Sequence, residues 1–142
     1  MERWKQRFKN FEQALDELKR ALNIKSLSFL ELAGLIKLFE LTFELAWKVI
    51  KDILEEERLL INESISSPRR IIKIAVQNNF LKENDGFIWI KALEDLNFLT
   101  DTYNQNFAKK SESEIRNVYF PLLERLYEKC KKENNIFKSI SF

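Results

Sequence analysis

Trp4, Phe8, Phe11, Leu15, Leu18 and Leu22 recur at steps of four, three, four, three and four. That spacing lays one apolar stripe along a helix over residues 2–22. The next segment, Asn23-Ile24-Lys25-Ser26-Leu27, breaks the period. Ser28 followed by Glu31 carries a capping-box signature, so a second helix is predicted from there to Arg58. Its polar positions Lys37, Glu40, Glu44, Lys48 and Lys51 are themselves three or four apart. They mark a narrow wet stripe on an otherwise apolar rod. Such a helix is expected to be buried on most sides, by its own chain or by a second one.

Ser66-Ser67-Pro68 supplies an N-cap and a proline at the first helical position of a third helix, predicted to reach Phe80. Glu83-Asn84-Asp85-Gly86 reads as a turn, with Asp85 capping a fourth helix that carries Phe87, Ile88, Trp89, Ile90, Leu93 and Leu96. Residues 97–110 are polar and aromatic with little helical period, so the fourth helix should end before them. Ser111 with Glu114 makes a second capping box. It opens a last helix with Ile115, Val118, Tyr119, Leu122 and Leu126 on its apolar face, and Pro121 should kink that helix or mark its true start. The expectation is an all-α, up-and-down bundle of four to five helices. It forms one domain over residues 1–133, with a frayed tail over 134–142.

Composition sharpens this picture. Two Gly and two Pro in 142 residues, against roughly 12% in average proteins, argue for long helices and against a sandwich, a barrel or a Gly-rich phosphate loop. The chain has no histidine. A Ser-His-Asp triad, a Cys-His dyad, a His-ligated metal and a histidine base are therefore all excluded from this chain alone. No cofactor and no metal site is expected. Charge is nearly balanced, 24 basic against 22 acidic residues, a net of +2, so no global basic field announces a nucleic acid.

The one cysteine, Cys130, stands among Lys129, Lys131 and Lys132, which would favour its thiolate; the plainer reading is an incidental helical thiol in a reducing compartment. The first seven residues, Met1-Glu2-Arg3-Trp4-Lys5-Gln6-Arg7, contain no apolar run. The most apolar stretch, residues 29–54, is interrupted by seven charged residues. A cytoplasmic chain without membrane contact is the expectation.

Three constellations carry possible chemistry. Glu40 and Glu44 lie four apart on one helical face and could act as paired carboxylates or bind a divalent ion. Their bland alternative is a solvated stripe in which Glu44 pairs with Lys48. Arg69, Arg70 and Lys73 open the third helix. There they oppose the macrodipole, so they suit a phosphate or an acidic surface, or are ordinary surface charge. Third, Asn97, Thr100, Asp101, Thr102, Tyr103 and Asn104 gather hydroxyls, amides and a carboxylate just after a helix, where a site or a simple turn would need them.

The order of these residues resembles a known family. Arg3-Trp4-Lys5-Gln6-Arg7-Phe8-Lys9-Asn10-Phe11 is similar to the opening of the nucleotidyltransferase substrate-binding family, which includes the HepT toxins of the HEPN superfamily. Phe39-Glu40-Leu41-Thr42-Phe43-Glu44-Leu45-Ala46-Trp47-Lys48 resembles its second-helix signature. Ser67-Pro68-Arg69, Asp85-Gly86, Trp89, Leu93, Asp95, Asn97, Thr102 and Tyr103 continue the likeness in order. The resemblance implies a helical bundle that pairs with itself as a homodimer. It also implies a small nucleotidyltransferase subunit as partner, antitoxin-like in the toxin members, where the HEPN protein cleaves RNA. Their motif is Arg, four residues, His, any residue, Tyr, with the tyrosine accepting AMP from the partner.

Laid on this chain, the motif falls on Leu96, Asp101 and Tyr103; only the tyrosine survives. Leucine leaves a phosphate unneutralised, and an aspartate with an ordinary pKa of about 3.9 is a poor base near neutral pH. The resemblance therefore implies a non-catalytic subunit that presents substrate to the nucleotidyltransferase or accepts AMP at Tyr103. Asn97, Asp101, Tyr103, Arg69, Glu40 and Glu44 are its candidate binding residues. The alternative is a HEPN ribonuclease with an altered site, using Asp101, Tyr103 and a basic residue such as Arg69 on RNA or a nucleotide.

Overall fold

The computed structural model describes residues 2–60, 67–101 and 104–140, with side chains placed for 4–60, 67–100 and 104–132. α1 (Glu2–Leu22) buries Trp4, Phe8, Phe11, Leu15 and Leu18, the stripe that the spacing marks. α2 (Phe29–Glu56) opens on the expected capping box. The Ser28 hydroxyl accepts from the Glu31 N–H at 3.1 Å, and the Ser28 N–H donates to Glu31 Oε1 at 2.9 Å. α3 spans Pro68–Gln77 and α4 spans Glu83–Asp101. A last rod follows as α5 (Gln105–Glu114), a π-helical stretch (Ile115–Tyr119) and α6 (Phe120–Ile140). The described residues form an all-α bundle of five rods.

α2 is the axis of the bundle, packing against α1, α3, α5 and α6. Aromatic pairs fasten its neighbours: Phe39 stacks on Tyr119 at 5.6 Å, and Phe43 meets Trp89 of α4 at 5.3 Å. Phe8 of α1 stacks on Tyr127 of α6 at 5.5 Å. A buried carboxylate of α2, Asp52, faces Arg7 of α1 at 3.3 Å. α2 gives way at Arg58, which takes a positive φ of 60°, while the Leu59 N–H reaches back to the Leu54 carbonyl. Asn79 does the same after α3, with φ 62° and the Phe80 N–H on the Ala75 carbonyl. These Schellman-type stops explain why α3 ends at Gln77 and not at Phe80.

Three sequence expectations need correction. Asp85 does not cap α4, which already starts at Glu83; its carboxylate accepts from Nη2 and Nε of Arg125 on α6, at 2.9 and 3.2 Å. α4 does not stop near Leu96 but continues through Asp101, and residues 105–110 are helical too, with the Asn104 side chain capping α5 through the Phe107 N–H. Ser111 is no N-cap: it is buried inside α5. Pro121, expected to kink the last helix or mark its true start, falls in the first turn of α6, directly after the π-helical stretch. The Phe120 N–H bonds to the carbonyl five residues back, at Ile115. That widened turn absorbs a proline whose ring would otherwise strike the preceding turn and whose missing N–H would leave a gap.

Gly86 is a packing requirement. A Cβ there would stand 2.6 Å from Val76 Cγ2 on α3. Gly86→Ala is expected to cost about 1–2 kcal/mol, because overpacking outweighs the gain in helix propensity. Denaturant unfolding of the variant measures it; a gain in stability would mean that α3 and α4 are not in close contact.

Arg116, in the π stretch, seals the end of α1. Its guanidinium donates to the Leu22 carbonyl and to the Ile24 carbonyl at 3.0 Å, and its Nε to Glu112 at 3.1 Å. The last carbonyls of a helix lack partners within it, and a cation is favourable there.

Candidate functional site

The motif positions lie on the C-terminal half of α4. Its period turns Ala92, Leu96 and Leu99 inward, all buried, and leaves Glu94, Asn97, Phe98 and Thr100 on the outside. Leu96, where the resemblance implies an arginine, is thus part of the hydrophobic core, 6% exposed. Asp101 is the last residue of α4; its side chain, like Thr102 and Tyr103 entirely, lies outside the described residues. Phe98 packs at a tilt against Phe107 of α5, 4.5 Å between centroids, across the connection that holds Tyr103.

Arg69 comes to this helix. Its guanidinium donates to Glu94 at 2.9 Å, both side chains being about half exposed. Glu94, Asn97 and Asp101 follow one another at steps of three and four, so they share a face of α4. The structure therefore brings Arg69 beside the face of α4 that carries Asn97, but with its charge already matched by a carboxylate. Such an exposed pair contributes about 0–1 kcal/mol.

Glu40 and Glu44 are elsewhere. They project from the outer side of α2, while Phe43 between them turns inward to Trp89. Glu40 pairs with Lys37 at 3.6 Å and Glu44 with Lys48 at 2.9 Å, while the Trp47 indole N–H donates to Glu44 at 3.1 Å. Partial burial pushes the Glu44 carboxyl upward, but hydrogen bonds from Lys48 and Trp47 and the charges of Lys48 and Arg7 hold it below the ordinary carboxylate value. A carboxylate so held is a weak proton acceptor at neutral pH. Among the described residues no group of three His, Cys, Asp or Glu side chains is placed to hold a metal ion.

A polar network that the sequence reading missed joins α4 to the π stretch. The Tyr119 hydroxyl donates to Asp95, and the Lys91 ammonium donates to the Tyr119 oxygen at 3.0 Å. Lys91 also lies 3.4 Å from Asp95 and 3.6 Å from Glu114. Lys91 and Asp95 are four apart on α4 and were legible as a pair; Tyr119 is 24 residues farther on, and no local pattern connects it. Hydrogen bonding to Tyr119, and the charges of Tyr119, Asp95 and Glu114, raise the Lys91 ammonium above its ordinary value despite some burial. Every member has a partner, so the network clamps α4 to the last rod.

Burial, and donation to Asp95, push the Tyr119 phenol up to about 12; donation to Glu12, and burial, do the same for Tyr127. The fold favours the neutral phenols, so their contribution to stability is present below the ordinary tyrosine value near 10 and is lost as pH rises through about 12. The chain has three tyrosines. In an alkaline titration followed by phenolate absorbance, two of them are expected to ionise only near 12. In denaturant all three should titrate near 10. Two groups titrating near 10 in the native protein would contradict the Asp95 or Glu12 contact.

A groove of about 650 Å³ lies between α1 and α6, lined by Glu12, Asp16, Lys19, Phe120, Glu124 and Tyr127 among others. None of its lining residues belongs to α4, so it is separate from the motif segment.

With this geometry in view, the comparisons are specific. No curated protein matches the chain in sequence. The crystal structure of a Thermus thermophilus protein is similar at a TM-score of 0.67 and 25% identity, over 87% of this chain and 97% of that one. The family model described as "Nucleotidyltransferase substrate binding protein like" matches residues 6–132, from the second turn of α1 into α6. That span takes in most of the apolar stripe of α1, the whole of α2 and the motif half of α4, and the chain belongs to the nucleotidyltransferase substrate-binding protein-like family.

Proposed function

We propose that this chain is a non-catalytic, HEPN-like subunit that forms a homodimer and docks a small nucleotidyltransferase, presenting substrate to it or accepting AMP at Tyr103. The observation that carries this reading is Leu96. At the position where the ribonuclease members place an arginine, the side chain is apolar and packed into the core, so nothing there can grip a scissile phosphate. The chain's lack of histidine removes the base as well.

Two of the three tyrosines support the role given to Tyr103 by elimination. Tyr119 is 1% exposed, and both Tyr119 and Tyr127 donate to carboxylates. An acceptor phenol must reach the nucleotide and give up its proton. The altered-ribonuclease reading would need Arg69 to serve a phosphate, and its match with Glu94 counts against that use.

Incubation of the purified chain with the nucleotidyltransferase and ATP, followed by peptide mass spectrometry, tests the acceptor version. One AMP on the Tyr103 peptide, absent from Tyr103→Phe, is expected. Addition elsewhere, or none, would remove it and leave substrate presentation. Cleavage of RNA by the purified chain, abolished in Asp101→Ala, would overturn the non-catalytic reading.

A further inference from the structure

α1 and α6 run antiparallel. Phe8 and Glu12 reach Tyr127, and at the other end Arg116, just before α6, reaches the Leu22 carbonyl. The groove of about 650 Å³ lies between them. Its floor is apolar, built from buried Leu15 and the half-buried rings of Phe120 and Tyr127. Its walls are acidic. Glu12 and Asp16 line it from α1 and Glu124 and Glu128 from α6, against two ammonium groups, Lys9 and Lys19. Each wall thus carries two carboxylates four residues apart on one helix, a like-charge spacing that weakens the helix. Setting two acidic walls opposite each other adds repulsion across the groove.

Most of these charges are not neutralised within the chain. Among the described residues Glu12, Glu124 and Glu128 make no ion pair; Glu12 accepts only from the neutral Tyr127 phenol, at 2.6 Å. Asp16 holds Arg20 at 2.7 Å, with both side chains more than half exposed. Lys9 and Lys19, the outermost α1 residues of the lining, pair with none of the four carboxylates. The arrangement also selects the shape of a cation. Among the described residues no three acidic side chains converge to hold a metal ion, so a compact ion meets only part of the charge. Residues four apart on a helix are separated by about 6 Å along its axis, the span of two ammonium groups joined by four methylenes. The methylenes would lie on Leu15, Phe120 and Tyr127, where apolar and cation–π contacts are both on offer.

We infer that the groove between α1 and α6 binds a linear polyamine, with its ammonium groups on Glu12, Glu124 and Glu128 and its methylenes on the apolar floor. The site shares no residue with α4, and its occupancy does not depend on the nucleotidyltransferase. Titration calorimetry of the full chain with spermidine at physiological salt tests it, because long-range attraction between exposed charges is screened there. One spermidine per chain is expected. Glu124→Gln with Glu128→Gln should weaken binding at least about tenfold, since two charge-assisted contacts are lost. Helicity should not change, neither residue being buried.

Two controls separate a shaped groove from diffuse charge. Glu57→Gln with Glu83→Gln removes the same charge outside the groove and should bind spermidine as the wild type does. Hexaamminecobalt(III) has the charge of spermidine without its methylenes, and should bind at least about tenfold more weakly. Equal binding of the two cations, an equal loss in the two double variants, or no uptake of spermidine would each overturn the site. Tetralysine bound one to one where spermidine is not would assign the groove to a basic segment of a protein partner, and would overturn the polyamine site.

Discussion

Leu96→Arg is expected to destabilise the bundle by about 3 kcal/mol, since a buried ion carries an effective penalty of several kcal/mol and snorkelling recovers only part of it. Leu96 is 6% exposed between buried neighbours on α4, so a guanidinium there must either leave the core or displace it. Leu96→Met, which conserves volume and polarity, should cost less than about 1.5 kcal/mol. Denaturant unfolding of the two variants separates the causes. If arginine proved as harmless as methionine, position 96 would open onto a solvent-filled cleft. The expected result is that the position has become structural.

The second large effect concerns what holds α4 in place. Trp89 is 1% exposed and meets Phe43 on α2 at 5.3 Å, the aromatic contact between the motif helix and the axis of the bundle. Trp89→Ala is expected to cost about 3–5 kcal/mol through lost burial and the cavity left behind. Trp89→Phe should cost less, keeping the ring contact while losing volume. Both are read from the denaturation midpoint. A loss under about 1 kcal/mol for alanine would show the site collapsing around the change, and α4 would then be anchored by the Lys91–Asp95–Tyr119 clamp.

Elements built from local chemistry were the ones visible in the sequence. The stripe of α1, the Ser28–Glu31 box and the Ser67-Pro68 start are each set within one or two helical turns, and each stands where the spacing puts it. The errors fall where a distant partner decides. Asp85 looks like a cap, but Arg125, 40 residues away, claims its carboxylate. Ser111 has the spacing of a capping box, yet tertiary burial keeps it inside α5. Residues 97–101 have the composition of a turn, but Leu99 is buried and carries the helix one turn further.

The candidate site was legible in part. That the chain lacks histidine is a fact of composition, and the resemblance read from the sequence assigns that absence to Asp101, with a companion at Leu96. The burial of Leu96 follows from the rotation of α4 and from what it packs against, which the one-dimensional pattern leaves open. The tether from Arg69 to Glu94 crosses 25 residues and joins two helices, and no periodicity within either helix encodes it. Glu44 is the opposite case: its partner Lys48 is one turn away, and the i, i+4 pair is present.

The central claim is that this bundle works as the binding subunit of a nucleotidyltransferase and does no cleavage of its own. Purification of the native complex from its own cells under low salt, with identification of whatever accompanies the chain, addresses that claim most directly. A small nucleotidyltransferase at fixed stoichiometry, in a complex that leaves RNA intact, is the predicted result. A chain that emerges alone, or one that cleaves RNA, would contradict it.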